Sequence, residues 1–145
     1  YTILTDFILS NTDRHYNNFG FLYHPQLHRL VKMAPVFDTG NSLFYNKEII
    51  PQGSNLLDVT VNSFKKKEVS LLEYVSKSDL VGIGKLESFP KEVYNLLTCN
   101  TDMPDERAKS ISGTVQQKLE YLIWKKENRF LIRQLRIITI KHAEW

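Results

Sequence analysis

Ile3, Leu4, Phe7 and Ile8 fall at helical spacing, so residues 1–10 read as the end of a helix. The pattern then breaks into the polar stretch "NTDRHYNN" at 11–18, which reads as a loop. "FGFLY" at 19–23 and "HRLVKM" at 28–33 read as two short strands. They are joined by "HPQL", whose proline suits a turn. "APVFDTGNSLFY" at 34–45 has turn chemistry in Asp38-Thr39-Gly40-Asn41, flanked by the buried-type pairs Val36–Phe37 and Leu43–Phe44. Residues 46–62 show no period and read as loop with room for a short strand. From there the chain turns helical. Val69, Leu72 and Val75, with Leu71 beside them, predict a helix over about 65–76. Pro90 in "FPKEVYNLLTCN" marks the start of another. Ala108, Ile111, Val115, Leu119 and Leu122 form the clearest stripe, with Asp105 and Glu106 favourable to the dipole in its first turn. Gly113 is a candidate break, and Phe130, Leu131, Leu135 and Ile138 carry the pattern into a terminal helix. The expected fold is a mainly helical α+β domain spanning residues 1–145: one hairpin with polar loops at both ends, then a helical bundle.

Composition narrows the class without naming it. A chain of 145 residues, 42% apolar and 24% charged, is long enough to bury a core and ordinary for a globular protein. The net charge of +3 does not argue for direct nucleic-acid binding, which shows as a concentrated basic face. From residue 114 on, seven Lys and Arg stand against three Glu, read as a solvated helix face before a docking site. The single cysteine, Cys99, excludes an intrachain disulfide framework and a cysteine zinc cluster, and is expected to be a small buried hydrophobe. A reducing, cytoplasmic setting is the expectation. No apolar run is long enough to span a bilayer. The opening at Tyr1 within a helical pattern raises the expectation of a piece of a longer chain.

The loop at 11–18 carries more hydrogen-bonding capacity than a turn needs. Asp13 and Asn18 lie five apart, the hairpin follows, and Asp38 comes next. If the strands pair, the hairpin's two ends come together and bring Asn18 and Asp38 within a few ångströms, with Asp13 beside them. Carboxylate and amide oxygens suit Mg²⁺, which is held by one or two carboxylates plus substrate phosphates. The remaining acid is free to orient a hydroxyl nucleophile. That is the minimal set for phosphoryl transfer, and Asp, Asn five residues on, then D-x-G follows the protein-kinase order.

"NTDRHYNN" followed by "APVFDTGNSL" resembles the catalytic core of the HipA-type kinases, the toxin kinases of bacterial toxin–antitoxin systems. Asp13, Arg14, His15 and Asn18 also resemble the D-R-H-x-x-N loop of the phosphatidylinositol 3- and 4-kinases. The likeness covers residues 1 to about 45; the helical remainder is only loosely similar. It implies a kinase C-lobe-like fold and ATP- and Mg²⁺-dependent transfer to a hydroxyl, Ser or Thr of a protein substrate. Asp13 would face the acceptor hydroxyl, Asn18 and Asp38 would bind Mg²⁺, and His15 would brace the loop by hydrogen bonding to an acid. Arg14 would pair with an acid or face the substrate, and Gly40 would let the backbone turn after the metal ligand. An antitoxin-like or DNA-binding partner protein would follow from the same family, as would an N-terminal lobe bearing a phosphate-covering loop and a lysine. "GIGK" at 82–85 lacks the phosphate-loop pattern and reads as a loop, so the chain alone is expected to be inactive.

Plainer readings stand beside these. Asn11, Thr12 and Asp13 form an Asx-type turn in any protein that needs one. His24 and His28 flank the hairpin turn with no carboxylate nearby in sequence, which argues against a metal there. Trp124 and Trp145 read as packing residues. The alternative function is a non-catalytic binding module that docks a protein or nucleic acid through its basic C-terminal helices. Lipid kinase chemistry rests on the D-R-H-x-x-N likeness alone.

Overall fold

The computed structural model describes residues 1–76, 78–99 and 102–142, with side chains through residue 128. The architecture is α+β, about half helical, with one two-stranded antiparallel sheet among the described residues. The chain divides into two compact units, Tyr1–Val75 and Ser76–Trp145.

In the first unit, helix α1 (Thr2–Leu9) buries Leu4, Phe7 and Ile8. It ends at Ser10, which takes the left-handed conformation (φ 56°) usually left to glycine. The amides of Ser10 and Asn11 close the helix on the carbonyls of Phe7 and Asp6. Strands β1 (Phe21–His24) and β2 (Arg29–Met33) form the expected hairpin. A bulge between Leu22 and Tyr23 leaves Val31 without a cross-strand partner. Cross-strand pairs share a face, so Phe21, Met33, Tyr23 and Leu30 lie together, 49–62% exposed. The other face carries Leu22, Lys32, His24 and Arg29. The hairpin therefore has one apolar and one largely basic side.

Two sequence expectations change here. Of the flanking pairs, Phe44 is buried but Val36 and Phe37 are not; the Phe37 ring instead lies against Gly20, where a Cβ would come within 3.5 Å of it. The helix expected over 65–76 shrinks to α2 (Glu68–Leu71) and a 3-10 turn at Leu72–Tyr74. The reason is upstream. Lys67 is extended and bridges to Thr60, so the run of lysines is spent on a short antiparallel contact rather than a helical turn. That bridge is all that the short strand expected in 46–62 amounts to, beside a 3-10 segment at Gly53–Asp58. Ile50, Leu56, Leu71, Leu72 and Val75 complete this unit's core with α1 and Phe44.

The second unit pairs α3 (Phe89–Thr98) with α4 (Asp105–His142). Pro90 sits in the first turn of α3, as expected, and its carbonyl accepts from Ser112 Oγ of α4 at 2.8 Å. Ala108, Ile111, Val115, Leu119 and Leu122 are all buried, the stripe read from the sequence. Hydrogen bonds from Lys109 and Tyr94 hold the Asp105 carboxyl below the usual carboxylate range at the helix start. The helix runs through Gly113 without a break. Cys99 is exposed rather than buried: it follows the end of α3, off the row set by Pro90 and Val93. Trp124 is 54% exposed and stacks on Tyr121 instead of filling a core. The side chains of Phe130, Leu131, Leu135 and Ile138, the basic groups beyond 128, and Trp145 lie outside the described residues. Among the described residues no helix is long and apolar enough to cross a membrane.

Leu122 is fully buried on α4. Leu122→Ala should lower stability by about 2–5 kcal/mol, read as a shift in the urea midpoint at unchanged slope.

Candidate active site

The polar loop is organised around Arg14, which is completely buried. Its Nε and Nη2 donate to Asp6 Oδ2 and Oδ1, both at 2.8 Å, a bidentate pair between the loop and α1. Its Nη1 donates to the carbonyl of Asn18 at 3.0 Å and to that of Phe37 at 2.7 Å. Asn11 completes the knot. Its amide nitrogen donates to Asp6 Oδ1 at 3.0 Å and to the Asp38 carbonyl at 3.3 Å. Thus Arg14 pairs with an acid, one of its two expected roles. Through it the backbone at Asn18 and the backbone entering Asp38 meet on one nitrogen atom.

Asp13 sits at the lip of this knot, partly exposed. Each carboxylate oxygen accepts from an amide: Oδ2 from Asn41 Nδ2 at 3.1 Å, and Oδ1 from Asn62 Nδ2 at 2.7 Å. The main chain is tied as firmly. The Asp13 amide donates to Asn11 Oδ1 at 3.2 Å, and the Asp13 carbonyl accepts from Asn18 Nδ2 at 2.9 Å. Thr12 N donates to the Asn41 carbonyl at 3.2 Å, and Asn62 N donates to the Thr12 carbonyl at 2.7 Å. A carboxylate offers about four lone-pair positions, so two amide donors orient it and leave room for a hydroxyl. The sequence marks Asn41 only as part of a turn and does not mark Asn62 at all. Asn41 was within reach, three residues beyond Asp38 in the same turn. Asn62 had no local signal, because it lies in the aperiodic stretch 49 residues from Asp13.

Asn18 is buried, at the end of a 3-10 turn, Tyr16–Asn18. Its amide nitrogen is engaged with Asp13, which leaves the oxygen as the end of use to a cation. Asp38 is exposed and itself adopts the left-handed conformation (φ 55°). The sharp turn expected at Gly40 is therefore made at Asp38, a residue type that tolerates it. A Cβ at Gly40 would meet nothing within 4 Å. His15 is half-buried, and its carbonyl accepts from Asn18 N at 3.0 Å. On the Asp13 carboxylate the bracing donors are Asn41 and Asn62. Among the described residues no three His, Cys, Asp or Glu gather into a cage. The side chains of Asp13, Asn18 and Asp38 carry oxygens of the type a hard cation takes, and the backbone of the Asn18 and Asp38 segments meets at Arg14.

Beside the loop, Tyr16 packs on Phe64 with ring centroids 4.8 Å apart, and Phe19 lies against the same ring at 5.6 Å. The segment carrying Asn62 and Phe64 thus touches the polar loop at Asp13, Tyr16 and Phe19. No family model, curated protein or solved structure matches the chain.

Breaking the buried pair leaves an uncompensated charge, so Asp6→Ala should destabilise the protein by about 3–5 kcal/mol in chemical denaturation. Gly40→Ala, in open space, should stay within about 0.5 kcal/mol of the parent by the same measurement.

Proposed function

We propose that the chain forms the catalytic lobe of a HipA-type kinase that transfers the ATP γ-phosphate to a Ser or Thr hydroxyl of a protein. One observation carries the reading: the carboxylate of Asp13 is aimed by two amides, while the Asn18 and Asp38 segments are gathered on one buried guanidinium. Asp13 accepts a hydrogen bond from the acceptor hydroxyl and orients it toward the phosphoryl group. Asn18 and Asp38 supply oxygens to Mg²⁺, which when bound neutralises charge on the phosphates. Arg14 acts through others, as a positioning residue. His15 and Gly40 shape the loop and its neighbour. The other half of the nucleotide site would come from a second lobe, and an antitoxin-like or DNA-binding protein would be the natural regulator.

A non-catalytic docking module remains the second reading. The exposed apolar face of the hairpin favours it, since contiguous apolar surface marks an interaction site.

The test is transfer from radiolabelled ATP with Mg²⁺, using the full-length chain that carries this segment. Asp13→Asn should lower transfer by about 10²–10⁴-fold with the fold intact. Asp38→Asn should raise the Mg²⁺ concentration needed for nucleotide binding. Parental rates in Asp13→Asn would sink the assignment. Absence of any Mg²⁺-dependent nucleotide binding in the parent would favour the docking module.

A further inference from the structure

A pocket of about 320 Å³ opens beside the candidate catalytic loop, with Thr12, Phe44, Ile49, Pro51, Val59 and Thr60 among its lining. Thr12 immediately precedes Asp13. Thr60 lies two residues before Asn62, whose amide holds the Asp13 carboxylate and whose backbone N–H donates to Thr12. The pocket and the carboxylate therefore share a wall.

The backbone of that wall has a direction. Val59 O accepts from Glu68 N at 2.9 Å, and Val61 N donates to Lys66 O at 3.0 Å. In an antiparallel ladder the main-chain groups of alternate residues point to opposite sides. The N–H and C=O of Thr60 therefore point away from the lysine segment. Asn62, in phase with Thr60, points its N–H the same way and reaches Thr12. Thr60 has no hydrogen-bonded partner among the described residues, and it is exposed. It offers a short open edge about 7 Å back from Asn62 along the same side.

Resting on the phosphotransferase reading, we propose that this edge and pocket receive the acceptor as an extended polypeptide. Its backbone pairs with Thr60. An apolar side chain near the acceptor Ser or Thr enters between Phe44, Ile49, Pro51 and Val59. The volume lies at the low end for ligand pockets, about 300–1,000 Å³, which suits one side chain with its backbone. Ile49 is 84% exposed at the rim and becomes covered when the pocket fills. Asp58 of the lining is already bridged by Lys67, and Phe44, Ile49, Pro51 and Val59 make the rest of the lining largely apolar. The lining therefore selects for an apolar group rather than for charge. Edge pairing supplies affinity regardless of sequence, and the pocket supplies selectivity.

The experiment uses fluorescent nonapeptides with a central Ser, bound to the full-length chain without nucleotide, with Leu, Phe or Asp fixed at each flanking position. One position should favour Leu or Phe over Asp by at least about tenfold. Ile49→Asp, at an exposed site that leaves the core intact, should bring that ratio to within about twofold, and N-methylation of the peptide amide that pairs with Thr60 should weaken all peptides alike. Equal binding of all peptides, or an unchanged preference in Ile49→Asp, overturns the proposal. The transfer assay is run on the same peptides. Selective binding without transfer would overturn the catalytic reading and leave the pocket standing. Transfer with a preference untouched by Ile49→Asp would do the reverse.

Discussion

The bidentate contact between Arg14 and Asp6 is the constraint on which the first unit turns. A guanidinium has five N–H donors, and burying it without partners is prohibitive. Here the partners are a helix carboxylate and two carbonyls from opposite ends of the hairpin. Satisfying Arg14 therefore requires that α1, the polar loop and the segment entering Asp38 all be in place together. A buried pair of this kind is a poor source of net stability, since desolvation offsets most of the attraction. Its value is geometric: few arrangements of three chain segments satisfy one planar fork.

Backbone strain gathers at the same place. Asp38, Leu43 and Phe44 all have φ of 55°, and Ser10 has 56°. For residues other than glycine this conformation costs about 1–2 kcal/mol each, with Asp the least penalised. Leu43 and Phe44 are held there by what surrounds them. Leu43 N donates to the Leu9 carbonyl at 2.7 Å, and the Phe44 ring is buried in the core. The core thus anchors a turn that the local sequence would not adopt alone, and that turn presents Asp38 and Asn41. Strain that persists because neighbours over-determine it is a common companion of functional sites.

How much of this could be read from the sequence follows from the range of each interaction. The hairpin, α3 and the buried stripe of α4 were legible because period and turn chemistry are local signals. The meeting of the Asn18 segment with the segment entering Asp38 was legible because pairing of the hairpin strands brings its two ends together. Asn62 was not, since nothing within ten residues of it refers to Asp13. The shortening of α2 was hidden for a similar reason: Lys67 is extended because of Thr60, not because of its neighbours in sequence. Gly113 misled in the other direction. A single glycine in a helix costs about 1 kcal/mol, less than the packing of Ile111 and Val115 on either side returns.

The bulge in the hairpin acts as a sorting device. Continued without it, the register that pairs Leu22 with Lys32 would set Tyr23 opposite Val31 and His24 opposite Leu30. Skipping Val31 brings Leu30 to Tyr23 and Arg29 to His24 instead. One unpaired residue thus separates the side chains of a nine-residue pair of strands by polarity, giving a ribbon with two chemically distinct surfaces. Because a shift of one position exchanges the faces of a strand, the surface on which Leu30 and Arg29 fall is set by one extra residue at a single point, and not by the composition of the strands.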